Sequence, residues 1–352
     1  MRRIVLIAVL FSGIITACSK QEIITNYVTH EETQSIFEGI AEYVNSSVDL
    51  SACKKIKAQI DDVVPLGGEE GVLISDMLDN RYINPSALSR ALIQTNSVPS
   101  TRSESDIIQY IIDNNIQVYW PYSENWDGQT LPTITFTPED ENQIWNWGYV
   151  RNENERGDIS YDKIYVDEQY AENNPVWVID KRDVPDVLTS PCIQTRSSEF
   201  HPWILKEIQV KHQYDSWLQG ASNFKITIGF PKMEGYAGGA NMISFKVTRK
   251  QIRKEKWVEL NRILNDDWSE DQLSNSMFMV ETDGGKTVSA TIGSSYKADN
   301  NLTINTSTTV SYKDDDDIVH KWEYKRSVMA ASTMDKIWLS SDGYVNFKMI
   351  IE

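Results

Sequence analysis

At Ile116 the spacing of apolar residues changes from a helical to a strand-like period, and this change constrains the fold more than any other feature of the chain. Before it, Ile36, Ile40 and Val44 recur every four residues, and Ile56 and Ile60 continue the pattern. Asn84-Pro85 then opens a run through Ala87, Leu88, Ala91 and Leu92, with the proline in the first turn where its missing N–H costs nothing. Ser103-Glu104-Ser105-Asp106 precedes Ile107, Ile108, Ile111 and Ile112 and reads as a capped amphipathic helix ending at Asp113-Asn114-Asn115. After Ile116 the apolar runs are short, rich in β-branched and aromatic residues, and separated by Pro, Gly, Asn and Asp: 116–120, 133–136, 144–150, 164–167 and 176–179.

A Pro- and Ser/Thr-rich stretch over 182–202 has the composition of a linker or crossover. Beyond it lie further candidate strands at 204–211, 224–230, 242–247, 277–281, 287–292, 302–312, 321–329, 336–339 and 345–351. Phe224, Ile226, Ile228 and Phe230 alternate with Lys225, Thr227 and Gly229, as a strand buried on one face requires. The sequence therefore predicts an α+β protein: an N-terminal helical layer and a mixed β-rich middle region over 36–181, then a C-terminal antiparallel β-sandwich over 203–352. Within the sandwich, Trp257, Leu260 and Ile263 or Leu264 stand at helical spacing and predict a short helix or structured loop. Gly235-Tyr236-Ala237-Gly238-Gly239-Ala240 lacks the Lys-Ser/Thr of a phosphate loop and reads as a hairpin connection. The chain has no fixed-period repeat, which argues against a propeller or solenoid.

The first residues have a different task. Arg2 and Arg3 precede an apolar stretch over 4–15, followed by Thr16, Ala17 and Cys18. The stretch is too short to span ~30 Å of hydrocarbon, which needs about twenty residues, so it reads as a targeting segment over 1–17. Ile15-Thr16-Ala17-Cys18 resembles the lipobox of bacterial lipoproteins, with Ile15 in place of the usual leucine. The resemblance implies that the mature chain starts at Cys18 and carries acyl chains there. Several chains on one residue hold a protein to a bilayer where one would do so only marginally. Residues 18–35 then read as a tether, and Lys20 and Glu22 partly resemble the charged export signal of Bacteroides-type lipoproteins. Phrases such as Tyr119-Trp120-Pro121-Tyr122, Pro175-Val176-Trp177-Val178 and Ser216-Trp217-Leu218 are similar in texture to uncharacterised lipoproteins of that type. The likeness implies an outer-membrane anchor facing the cell surface or the periplasm, and no particular activity.

A formal charge of −17 repels phosphate backbones and excludes nucleic acid as a partner. Besides Cys18, only Cys53 and Cys192 are present; they can pair in an oxidising compartment or remain buried thiols. Four histidines without an HExxH pattern leave zinc hydrolysis without its usual ligands. The run Asp314-Asp315-Asp316-Asp317 is a candidate calcium site, because Ca²⁺ takes six to eight oxygen ligands, although such a run also serves as a solvated turn. Among 11 tryptophans and 16 tyrosines, Trp120 and Trp126 beside Tyr122 are candidates for stacking on a glycan, against the alternative of core packing. Trp145 and Trp147 alternate as packed strand neighbours do. Glu124, Asp127, Glu139, Asp140, Glu141, Asp167 and Glu168 offer carboxyls to a glycosidase, but no spacing selects a pair. The expected function is a membrane-anchored binding or interaction module for a glycan, an envelope protein or a cation, with a carboxylate-dependent hydrolase as the alternative.

Overall fold

The computed structural model describes residues 30–63, 70–140, 143–153, 159–182, 201–231, 239–283, 286–298 and 302–352. The expected signal segment, Cys18, the expected tether up to residue 29, Cys192 with most of the expected linker, and residues 232–238 of the glycine-rich connection lie outside them. The protein is α+β, with helices concentrated in the N-terminal half and antiparallel sheets in the C-terminal half.

Helices α1 (His30–Ser47), α2 (Leu50–Val63), α3 (Ile74–Asp79), α4 (Pro85–Gln94) and α5 (Glu104–Asp113) form the helical layer. α1 starts inside the stretch expected as tether, where Gln34 Nε2 ties its first turns to Thr137 O at 2.9 Å. Local chemistry sets the helix starts: Asn84 accepts from Ala87 N with Pro85 in the first turn, and Ser103 and Asp106 form a capping box. The layer covers one face of a six-stranded sheet made of β1 (Gly71–Leu73), β2 (Ile116–Tyr119), β3 (Thr133–Phe136), β4 (Trp145–Glu153), β5 (Ile159–Asp167) and β6 (Val176–Lys181), in the order β1-β2-β6-β3-β4-β5. Only β3 and β6 run parallel among these neighbours. Strand alternation divides the buried residues between the two faces. Val118, Trp177 and Ile179 join Ile36, Ile40 and Val44 beneath the helices. Tyr119, Val176 and Val178 point the other way and are buried by Trp217 and Leu218, which come from the C-terminal half.

That half is a β-sandwich. One sheet has β10 (Trp257–Asn265), β7 (Trp203–Val210), β16 (Val345–Ile351) and β15 (Trp338–Leu339) in that order. The facing sheet runs β13 (Thr303–Lys313), β12 (Thr287–Lys297), β11 (Gln272–Glu281), β8 (Ser222–Phe230), β9 (Gly239–Val247), and β14 (Asp317–Lys325) pairs along β11. Phe224, Ile226 and Ile228 point into the core between the sheets with Trp203, Met277, Met279 and Phe347. On the outer side, the β12–β13 hairpin folds over Phe278 and Val280 through Ile292 and Val310. Gly229 permits this approach, since a Cβ there would stand 2.9 Å from Ile292 Cδ1. β13 is the outer strand of its sheet, and its exposed row is Thr303, Asn305, Ser307, Thr309 and Ser311.

The helix expected around Trp257 is instead strand β10, preceded by the one-turn helix α7 (Arg249–Arg253), which Thr248 and Gln251 cap. The reason is a bulge. Pairing to β7 shifts register between Glu259 and Arg262, and Asn261 takes φ of 48°. One extra residue in a strand breaks two-residue alternation and produces a three-to-four spacing that imitates a helix. The candidate strand at 321–329 likewise splits, with β14 ending at Lys325 and α8 (Arg326–Ala330) following.

The two halves interlock through Trp217. Its indole N–H donates to Ile144 O at 2.9 Å, and Leu218 O accepts from Thr137 Oγ1 at 3.0 Å. Trp217→Ala should lower unfolding stability by about 3–5 kcal/mol through the cavity it leaves, while Trp217→Phe should cost about half as much or less. Urea denaturation followed by circular dichroism measures both.

Candidate functional site

Three regions of the described structure bring chemically capable side chains together. The first is the β4–β5 hairpin at the edge of the N-terminal sheet. Alternation puts Trp145, Trp147 and Tyr149 on one face of β4, and the register sets Tyr165 opposite Trp147 and Lys163 opposite Tyr149. Helix α1 covers Tyr149, whose hydroxyl donates to Glu38 Oε1, and leaves the rest of the face bare. Trp147 is 42% exposed and Tyr165 50%. The Trp145 and Tyr165 rings stack with centroids 4.8 Å apart and planes 26° from parallel, and Trp147 stands edge-on to Trp145 at 5.7 Å. Lys163 Nζ bridges the helix and the rings: it is 3.2 Å from Glu38 Oε1 and 6.0 Å from the centre of the Trp147 ring. Burial would raise the Glu38 carboxyl, but the hydrogen bonds from Tyr149 and Lys163 outweigh it and hold it below the usual range. Glu42, one turn on, is raised by burial and by the charge of Glu38.

The aromatic residues chosen from sequence stand elsewhere. Trp120 is completely buried and packs edge-on against Trp126 at 5.1 Å and Trp177 at 5.4 Å, so it belongs to the core and presents no face to a glycan. Trp126 is half-buried against the same core, with its indole N–H bound to Thr130 O at 2.7 Å. Conversely, the core role expected of Trp147 from its alternation falls to its neighbours: Asn146 turns inward and donates to Phe136 O at 2.6 Å, and Gly148 lies against Val166 and Thr133.

The second region is the end of the sandwich around Asp314–Asp317. These carboxylates do not form a cage. Asp314 Oδ1 accepts from Lys286 N at 2.6 Å, and Asp316 accepts from Lys313 N at 2.8 Å and Asp283 N at 3.1 Å. Asp315 is exposed and Asp317 starts β14. The run is a hairpin turn that hydrogen-bonds the β11–β12 loop. The acids that meet are Asp215, Glu281 and Asp283, with a carboxylate oxygen of each within 4.8 Å of the others. Burial raises all three above the ordinary carboxylate range, and for Glu281 the charges of Asp215 and Asp283 add to it. A cavity of about 380 Å³, lined by Lys225, Thr282, Tyr312 and Asp316 among others, opens onto Asp283.

The third region lies where α7 meets the N-terminal body. Arg253 donates to Glu124 Oε1 at 2.8 Å and to Pro121 O at 2.9 Å, and its guanidinium lies 4.2 Å from the centre of the Tyr122 ring. Arg249 spans Asp215 O at 2.8 Å and Glu168 Oε1 at 2.7 Å. Asp167 caps α6 (Glu168–Asn173), and Asp127 accepts from Gln129 N and Thr130 N. The acids of this region thus hold ion pairs and turns together. Cys53 is a buried free thiol that burial pushes up to about 12, so it is inert as a nucleophile.

Glu70 sits in the third region, 1% exposed, with Oε2 accepting from Lys250 N at 3.4 Å. Burial raises its carboxyl to about 7, and the Glu124 charge adds to this against the opposing charges of Arg253 and Lys250. The folded chain therefore holds a proton that the unfolded chain releases near 4.5. The stability this gives is present below pH ~4.5 and is lost as pH rises through ~7, amounting to about 3 kcal/mol by pH 8. Glu70→Gln should remove that slope, so that variant and wild type melt alike near pH 5 and the variant melts higher at pH 8. His320, held near 4 by burial, acts only on the acid side and is common to both. Comparison with known proteins finds no family model that matches this chain, and no similar curated protein or solved structure.

Proposed function

We propose that this chain is a lipid-anchored binding module of the bacterial outer membrane that holds a glycan against the aromatic face of the β4–β5 hairpin. The observation that supports the reading is the stacked Trp145–Tyr165 pair with Trp147 beside it, half exposed on an edge hairpin. Aromatic rings left in water at a sheet edge invite unwanted association, and a grouped set of them marks a contact surface. A sugar ring offers C–H faces that match flat aromatic faces and hydroxyls that need polar partners. Glu38, Glu42 and Lys163 flank the rings and supply such partners. The anchor rests on Cys18 and its lipobox; among the described residues no helix is long and apolar enough to cross a membrane. The hydrolase alternative has less support, because Glu124, Asp127, Asp167 and Glu168 are each committed to an ion pair or a turn.

The test is retention on envelope and dietary polysaccharides, with released reducing sugar measured in parallel. Trp147→Ala and Tyr165→Ala should each weaken retention about tenfold or more, a loss of ~1.4 kcal/mol, with little change in melting temperature. Retention that ignores both substitutions overturns the aromatic reading, and sugar release that depends on a single Asp or Glu overturns the binding-module reading. For the anchor, Cys18→Ser should shift the protein from the detergent phase to the aqueous phase and leave its melting temperature unchanged.

A further inference from the structure

We propose that Asp215, Glu281 and Asp283 form a calcium site at the end of the C-terminal sandwich, a function separate from the aromatic face. The three come from two loops and a strand end: Asp215 from the β7–β8 connection, Glu281 from the last position of β11, and Asp283 two residues later. Their carboxylate oxygens lie within 4.8 Å of one another, which is the widest spacing two oxygens can have across one ion at about 2.4 Å from each.

Two of these oxygens are sealed from solvent and lack hydrogen-bond partners, Asp215 Oδ2 and Glu281 Oε2. Glu281 itself is fully buried, and its other oxygen accepts from Asn223 N at 2.8 Å, which fixes the carboxylate with Oε2 turned toward the other acids. A neutral group makes the independent case. Ser222 is fully buried, and its hydroxyl lies against the Asp215 carboxylate, which it lowers, without closing a hydrogen bond of normal geometry. Buried hydroxyls are normally satisfied, so an oxygen held open beside two open carboxylate oxygens is placed as a ligand would be.

Arg249, whose charge lowers Asp215, gives one guanidinium nitrogen to the backbone oxygen of Asp215 and another to Glu168. An all-oxygen set selects a hard cation, and the spacing suits the longer bonds of Ca²⁺ over those of Mg²⁺, about 2.0–2.1 Å. Asp283 is half-buried, and the cavity beside it gives an ion a path in. The hydrogen bond from Asp283 N to Asp316 holds the loop in the required place, which gives the four-aspartate turn a positioning role.

The test uses the full chain freed of metal by chelator, with calcium chloride or magnesium chloride added and melting followed by scanning fluorimetry. At a hundredfold excess over its dissociation constant, calcium should raise the midpoint by about 3 °C or more, and magnesium should raise it less. Glu281→Gln and Asp283→Asn should each abolish the calcium shift. Asp315→Asn should keep the shift. Asp283 is half-buried where Glu281 is fully buried, so its variant serves if Glu281→Gln does not fold. A wild-type midpoint indifferent to millimolar calcium overturns the proposal, as does a shift that survives Asp283→Asn or one that disappears with Asp315→Asn.

Discussion

The structure depends on covering the second face of the N-terminal sheet. Five helices bury one face, but Tyr119, Val176 and Val178 on the other are as apolar as those beneath the helices. A sheet that is apolar on both sides needs two covers. The second cover comes from Trp217 and Leu218, carried on the connection between the first two strands of the sandwich. Folding of the first half is thereby tied to the presence of the second, and the expected boundary near residues 182–202 separates two cores that share a packed contact.

Charge follows the same join. Arg249 and Arg253 stand a single turn apart on α7 and reach Glu168 and Glu124 on the N-terminal body. Both arginines are largely buried, so neither half would hold them comfortably alone: removing one partner leaves a charge without solvent or counter-ion, a costly outcome. The Asp215 loop that receives Arg249 also carries Trp217 and one corner of the acidic triad. Packing, ion pairing and the triad thus converge on a short connection that a topology diagram would show as an ordinary loop.

Much of this fold could be read in the sequence wherever a single periodicity operates. Phe224, Ile226 and Ile228 identify the inner face of a sandwich strand, and Ser103 with Asp106 identifies a helix start, because both depend on residues close in sequence. Trp257 to Leu264 was illegible because a bulge at Asn261 disguises a strand. The sites were harder. Asp314–Asp317 attract attention by adjacency, yet backbone amides take up Asp314 and Asp316, while the acids that meet come from positions 215, 281 and 283 and share no local pattern. Trp120 and Trp147 are equally aromatic in sequence; packing against Trp126 and Trp177 buries the first and the end of α1's coverage leaves the second bare, and both are tertiary facts.

The outer strand of the long hairpin has one more consequence. β13 is a sheet edge of eleven residues, with main-chain donors and acceptors aligned for any strand that approaches. Such edges template fibrils when their side chains give the newcomer something dry to pack against. Here the outward row of Thr303, Asn305, Ser307, Thr309 and Ser311 is hydroxyl and amide throughout. A neighbouring copy would gain backbone bonds but no interior, and would have to strip water from every side chain in the row. Wherever copies of this chain are crowded together, that wet edge keeps neighbours separate.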